Sequence, residues 1–285
     1  METPDDSVFP QRTCNMKYRF ISDSHTHSEC SFDGNDSVIM MCEQASGTGL
    51  YSITITDHCE CHEYYANNVR SDIERSLRDI SRARAMYSDR LRVYTGIELG
   101  QPTQDVKAAQ EALSLGNYDF VLGSLHNLRG EQDFYFLEYT KDNADALLRR
   151  YFTEMLELAQ QDMFDSLAHL DYPLRYITGN SGISVRCKDY QEMIDEILKT
   201  LVRNEKAMEV NTSGIRQVIG RTLPGMEMIQ RFRELGGKYI TLGSDAHRWG
   251  DIGSGIEYGL ELLSRCGYTH FTVYDRREPH RLPIT

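Results

Sequence analysis

Residues 18–27 read Tyr-Arg-Phe-Ile-Ser-Asp-Ser-His-Thr-His, an apolar-rich run that gives way to two histidines with one residue between them. In an extended segment, side chains two apart point to the same side. His25 and His27 therefore reach one cation with no turn between them. The same punctuation recurs down the chain. His58 follows residues 51–56 in Thr-Asp-His, and Glu98 follows Thr95-Gly96-Ile97. His126 lies in Leu-Gly-Ser-Leu-His-Asn, His169 in Ser-Leu-Ala-His-Leu-Asp, and Asp245 and His247 in Leu-Gly-Ser-Asp-Ala-His. A single strand-end histidine is more often structural than metal-binding. A series of them at successive strand ends points to one site assembled by a parallel α/β barrel, whose catalytic residues collect on its C-terminal face.

The segments between these clusters support that architecture. Candidate strands at 18–22, 51–56, 91–96, 118–123, 163–168, 206–210, 239–242 and 271–273 alternate with amphipathic stretches at 38–45, 73–86, 106–115, 144–158, 190–202, 226–235 and 256–266. Strands alternating with helices of this length indicate βαβ units and a parallel sheet. About seven units fit a closed, imperfect barrel. An open doubly wound sheet would gather its ligands at one crevice instead of at nearly every strand.

At 285 residues the chain suits one large α/β domain, and the ligand clusters would be split by any two-domain division. We read residues 1–17 as a short N-terminal extension and 18–285 as the barrel. No apolar run approaches a membrane span of roughly 18 residues, and the N-terminus lacks a basic-then-apolar signal pattern. The net charge of −12 disfavours a nucleic-acid backbone as the main partner. Seven irregularly spaced cysteines suggest reduced thiols and a cytoplasmic protein. Cys59 and Cys61 flank Glu60 without forming a CxxC pair, so they stay outside the metal set, as do His62, His270 and His280.

Carboxylate beside imidazole at Asp57-His58 and Asp245-Ala246-His247 suits Zn, Mn or Fe better than Ca or Mg. Asp57 is also expected to cap a helix. A carboxylate buried at the position of Glu98 needs a partner, which makes it a candidate metal bridge. Glu60, His62 and Glu63, just beyond His58, are candidate substrate contacts.

Taken in order, SDSHTHSECSFDG (22–34), TDH (56–58), GIELG (96–100), SLHN (124–127), AHLD (168–171), EVNTSG (209–214) and GSDAH (243–247) resemble the PHP (polymerase and histidinol phosphatase) family over residues 20–250. The Asp33-Gly34 ending, the NTSG segment and the length look most like its histidinol-phosphate phosphatases. The resemblance implies a single-domain, distorted (β/α)7 TIM-like barrel holding three divalent metals (Zn, Mn or Fe). It places His25, His27, Glu98 and Asp245 on one metal, Glu98, His126 and His169 on a second, and Asp33, His58 and His247 on a third. Many family members carry His where this chain has Asp33, which keeps a ligand but adds negative charge.

The implied activity is hydrolysis of L-histidinol phosphate to L-histidinol and phosphate, in histidine biosynthesis. A hydroxide formed from a metal-bridging water would attack phosphorus. Glu98, Asp245 and His247 are the catalytic candidates. Arg175 and Arg216 are the candidate phosphate contacts, because a guanidinium donates two parallel hydrogen bonds. The alternatives are a phosphoesterase of nucleoside phosphates or nucleic-acid 3′ ends, and a non-catalytic metal-binding barrel. A small-molecule phosphomonoester is the expected partner, with no membrane involved, nucleic acid disfavoured and the oligomeric state open.

Overall fold

Short, wholly buried strands build this molecule. In the computed structural model, which describes residues 17–285, every residue of β1 (Ser22–Asp23), β2 (Ser52–Ile55), β5 (Phe120–Ser124), β6 (Ser166–Leu167), β7 (Ala207–Asn211) and β8 (Ile240–Gly243) is buried, as is most of β4 (Arg92–Gly100). Strands covered on both faces are characteristic of parallel sheets. The proposed N-terminal extension, apart from Lys17, lies outside the described residues, as does Cys14.

The strands pair in parallel in the order β1-β2-β4-β5-β6-β7-β8. A short strand β3 (His58–Glu60) resumes after the break at Thr56-Asp57 and pairs with the far half of β4, setting His58 opposite Glu98. The ring closes between its first and last members. Ser24 N donates to Leu242 O, Asp245 N to His25 O and His27 N to Ala246 O, each at 2.8 Å. Asp23 reinforces this seam by accepting from Ser244 N and Gly253 N, both at 2.8 Å, and from Ser244 Oγ. The result is a seven-stranded, nearly closed barrel in one domain.

A helix follows each unit: α1 (Val38–Gly47), α2 (Val69–Met86), α3 (Val106–Ser114), α4 (Lys141–Ala159), α5 (Gln191–Arg203), α6 (Met226–Glu234) and α7 (Ile256–Arg265). Their starts are set locally. Ser37 accepts from Met40 N at the head of α1, Asp105 from Ala108 N at α3, and Thr140 and Asn143 form a reciprocal capping box at α4. No helix among the described residues is long and apolar enough to cross a membrane.

The expected strand at 271–273 forms, but it is not an eighth barrel strand. It belongs to β9 (His270–Asp275), which pairs antiparallel with β10 (Glu278–Pro283). The hairpin turns through Arg276 and Arg277, both with positive φ (52° and 67°), as a two-residue turn of the twist-matched type requires. Side chains at the strand starts hold it there. Asp119, just before β5, accepts from Arg276 N at 3.1 Å, and Arg277 pairs with Asp165, just before β6. Tyr274 then packs on Phe120 with ring centroids 5.2 Å apart, among Leu122, Ala168 and Ala207. The hairpin thus seals the end opposite the ligand-bearing loops.

Candidate metal centre

At the open end the strand-end residues converge. His25 Nε2 and His27 Nε2 lie 2.9 Å apart, and each is 3.4–3.7 Å from Glu98 Oε2 and Asp245 Oδ1. The other oxygen of Glu98 faces a second pair: Oε1 is 3.2 Å from His126 Nε2 and 3.1 Å from His169 Nε2. Asp33 forms a third group, with Oδ1 3.5 Å from His58 Nε2 and Oδ2 3.0 Å from His247 Nε2. The groups run into one another. His27, His58 and His247 are close enough to share an ion, and so are His58, Glu98 and His126.

Loop chemistry delivers these side chains. Asp57, expected to cap a helix, instead grips the loop that carries Asp33. It accepts from Ser28 N (2.6 Å), Ser28 Oγ (2.8 Å) and Ser31 Oγ (2.8 Å), and from Ser76 Oγ of α2 at 2.5 Å. Helix α2 begins later, after Asn68, so Asp57 is too far upstream to cap it. Asp245 adopts a left-handed backbone (φ 54°), which Asp tolerates better than most residues. That conformation turns the chain between Ser244, held by Asp23, and the side chain aimed into the site.

Two carboxylates absent from the sequence-derived metal set orient the imidazoles. Glu209 Oε1 lies 2.7 Å from His25 Nδ1, and its Oε2 accepts from His169 N at 2.9 Å. Glu60 Oε1 lies 2.9 Å from His126 Nδ1. A carboxylate on Nδ1 fixes the tautomer that leaves Nε2 free to bind. Glu209 carries a detectable signal, because an acid inside the apolar run Ala-Met-Glu-Val must have a buried partner.

The electrostatics mark where positive charge is favoured. Burial works against ionisation of Glu98, yet His126, His25 and His58 hold its carboxyl well below the usual range. Asp245 is likewise held low, against its burial, by His25, His27 and Arg175. Burial would lower His25, but Glu209, Glu98 and Asp245 push it well above its ordinary value. His58 and His126 are also raised against their burial, chiefly by Glu98. His27 goes the other way, lowered by burial and by the neighbouring His58 and His247. Buried carboxylates among imidazoles need compensating positive charge, from protons or from cations that displace them.

The residues fit divalent cations. Tetrahedral ligands at Zn distances sit roughly 3.3 Å from one another, close to the separations around His25, His27, Glu98 and Asp245. His58 Nδ1 stands 2.9 Å from Glu98 Oε2, yet neither atom has a hydrogen bond of acceptable geometry. Buried donor atoms left without a hydrogen bond are atoms that a cation would take up.

The groups lie on the floor of an open cleft of about 980 Å³. Of the candidate substrate contacts, Arg175, Glu60, His62 and Glu63 line it, whereas Arg216 does not. Arg175 is partly buried, donates to Ser213 Oγ (2.8 Å) and Asp245 Oδ2 (3.1 Å), lies over the Tyr172 ring, and has a buried, unpartnered Nε. Arg216 donates to Ser244 O at 2.9 Å and lies near Asp251, so it braces the turn at Ser244 and Asp245. Glu60 is occupied by His126 and by Gln101 Nε2 (2.7 Å), which ties it to the floor rather than the mouth. His62 and Glu63 lie nearer solvent, with Glu63 accepting from Asn67 at 2.6 Å. Cys59 and Cys61 are fully buried and belong to none of the three groups.

The PHP domain family matches residues 23–213, and the chain belongs to that family. Among its relatives, a probable histidinol-phosphatase of Clostridium acetobutylicum is 28% identical over 250 residues, covering 86% of this chain and 94% of the relative. The histidinol-phosphatase of Lactococcus lactis subsp. lactis is 27% identical over 258 residues, covering 88% and 93%. The crystal structure of histidinol phosphate phosphatase from Lactococcus lactis, complexed with zinc, L-histidinol and phosphate, superposes with a TM-score of 0.73 at 24% identity, over 91% of this chain and 98% of that one. At that identity the superposition speaks to the fold.

Proposed function

We propose that this chain is a metal-dependent phosphomonoesterase that hydrolyses L-histidinol phosphate to L-histidinol and phosphate, a step of histidine biosynthesis. The observation that carries the reading is the division of Glu98, whose two oxygens face separate imidazole pairs on the floor of an open cleft beside Arg175. The names of the relatives, histidinol-phosphatases over nearly their whole length, supply the substrate.

His25, His27, Glu98 and Asp245 would hold one cation, Glu98, His126 and His169 a second, and Asp33, His58 and His247 a third, with Zn, Mn or Fe suited to these donors. When bound, such cations neutralise the phosphate dianion and lower the pKa of water to near neutrality. The protein's own residues do the remaining work. Glu209 and Glu60 keep His25 and His126 facing inward. Arg175, in the cleft lining, would bind a phosphate oxygen through its guanidinium, and its bond to Asp245 Oδ2 supports that orientation. Charge developing on phosphoryl oxygens meets a guanidinium already held in position.

A nucleotide substrate has one observation in its favour: the exposed rings of Phe32, Tyr135 and Phe136 at the cleft, which a base could stack upon. Against it, the cleft also carries Glu63, Asp72, Glu131 and Asp133, and among the described residues Arg175 is the single Arg or Lys in the lining. Metal analysis paired with turnover of histidinol phosphate, AMP and a short oligonucleotide tests the reading. We expect two to three bound equivalents and the highest kcat/KM for histidinol phosphate. Preference for AMP or the oligonucleotide would replace the substrate, and bound metal without turnover of any ester would leave a non-catalytic barrel. The six described cysteines are unpaired, which suits a cytoplasmic enzyme.

A further inference from the structure

Histidinol phosphate carries its ammonium group close to the phosphate, so a site selective for it needs an anion near the metal floor as well as one at the rim. Among the cleft acids outside the three ligand groups, most are already engaged. Glu60 holds His126, Glu63 accepts from Asn67, and Glu131 pairs with Arg150 at 2.8 Å. Asp72 stands exposed at the start of α2.

Asp133 differs. The chain after His126 folds back on itself, so that Phe134 N donates to His126 O at 3.0 Å and Asp133 bridges to Asn127. Phe134 is fully buried against Tyr151 and Tyr172, which makes the fold-back rigid. The carboxylate of Asp133 is consequently fixed in the cleft wall beside the His126 strand end. Its Oδ1 accepts from Tyr135 N at 2.6 Å and Tyr172 Oη at 3.3 Å, while Oδ2 accepts no hydrogen bond from the described residues. Tyr172 packs against both His126 and His169, with ring centroids 5.1 and 4.9 Å apart. The acid is therefore indexed to the imidazole pair that faces Glu98 Oε1.

We propose that Asp133 selects the substrate, its Oδ2 accepting a hydrogen bond from the ammonium group of the phosphate ester. The proposal rests on the histidinol-phosphate reading above. A partly buried carboxylate in the cleft wall discriminates charge better than an exposed one such as Asp72, since its field is less screened. An amine keeps its proton through neutral pH, so the contact is a charge-assisted bond in the working enzyme.

The test uses metal-loaded wild type and Asp133→Asn, an isosteric change that keeps an acceptor for Tyr135 N and Tyr172. Two substrates are compared: histidinol phosphate, and the same ester lacking the amino group. For Asp133→Asn we expect kcat/KM on histidinol phosphate to fall by about tenfold to a hundredfold, with the des-amino ester changed less than about twofold. Inhibition by L-histidinol should weaken while inhibition by inorganic phosphate holds. An equal loss on both esters would overturn the proposal and make Asp133 a positioning residue for Tyr172 and His126. No loss on either would overturn it too. The wild-type rates separate this from the substrate reading: failure of wild type on histidinol phosphate, with turnover of other esters, removes that reading whatever the variant does.

Discussion

Glu209 Oε1 sits 2.7 Å from His25 Nδ1, deep in the barrel and away from solvent. Its second oxygen holds the backbone of His169, so one acid of β7 positions a member of two different ligand groups. Glu209→Gln removes the charge and keeps the shape. We expect metal affinity or kcat/KM to drop by roughly tenfold to a hundredfold, as for other carboxylates that support metal-binding histidines. Equal metal retention against a chelator series, with normal turnover, would show the contact to be merely structural.

The ligand groups predict different stoichiometries. Glu98→Ala should abolish activity and remove more than one metal equivalent, because both of its oxygens face imidazole pairs. Asp33→Ala should remove about one, because among the described residues its carboxylate meets His58 and His247 alone. Circular dichroism should show both variants folded. Full metal content in Glu98→Ala would sink its bridging role.

The two arginines should separate cleanly. Arg175→Ala should weaken competitive inhibition by inorganic phosphate by about 1.5–3 kcal/mol, the usual loss of a charge-assisted bond. Arg216→Ala should lower the melting temperature by loosening the turn at Ser244 and Asp245, with a smaller effect on phosphate. Reversal of that order in inhibition assays would return Arg216 to the phosphate site.

The closed end predicts a stability effect without a catalytic one. Tyr274→Ala removes a buried ring stacked on Phe120, and large-to-small aromatic substitutions cost about 3–5 kcal/mol. Thermal unfolding should shift down while kcat/KM per folded molecule stays near wild type. A matching fall in kcat/KM would mean that the hairpin reaches the metal floor.

The legible parts of this molecule are those encoded by local period and position. Strand ends carrying His, Asp or Glu could be read because each followed an apolar run, and their convergence needs only that neighbouring strands be parallel. Pairings across strands were not legible. Nothing local in Glu60 says that it will turn toward His126, and nothing in Arg216 says that carbonyls of the 244–245 turn will occupy it. The hairpin escaped because Arg276-Arg277 lacks the Asn or Gly that usually announces such a turn; side chains of Asp119 and Asp165 hold it instead. Asp133 was silent because its position depends on a fold-back anchored by Phe134.

The barrel's seam gives the cations a second consequence. Asp23 and Ser244, joined across it, are 221 residues apart in sequence, and the chain immediately beyond them bears His25 and His27 on one side and Asp245 and His247 on the other. An ion shared by His25, His27 and Asp245 is then a cross-link between the two ends of the ring, closing a very long loop as a clasp does. Because the unfolded chain cannot assemble that donor set, occupancy would raise the cost of opening the ring at its weakest join. Chelation should accordingly free the amides of Ser24, His27 and Asp245 to hydrogen exchange before those of the β4–β5 wall, so that loss of catalytic metal and fraying of the fold begin at the same place.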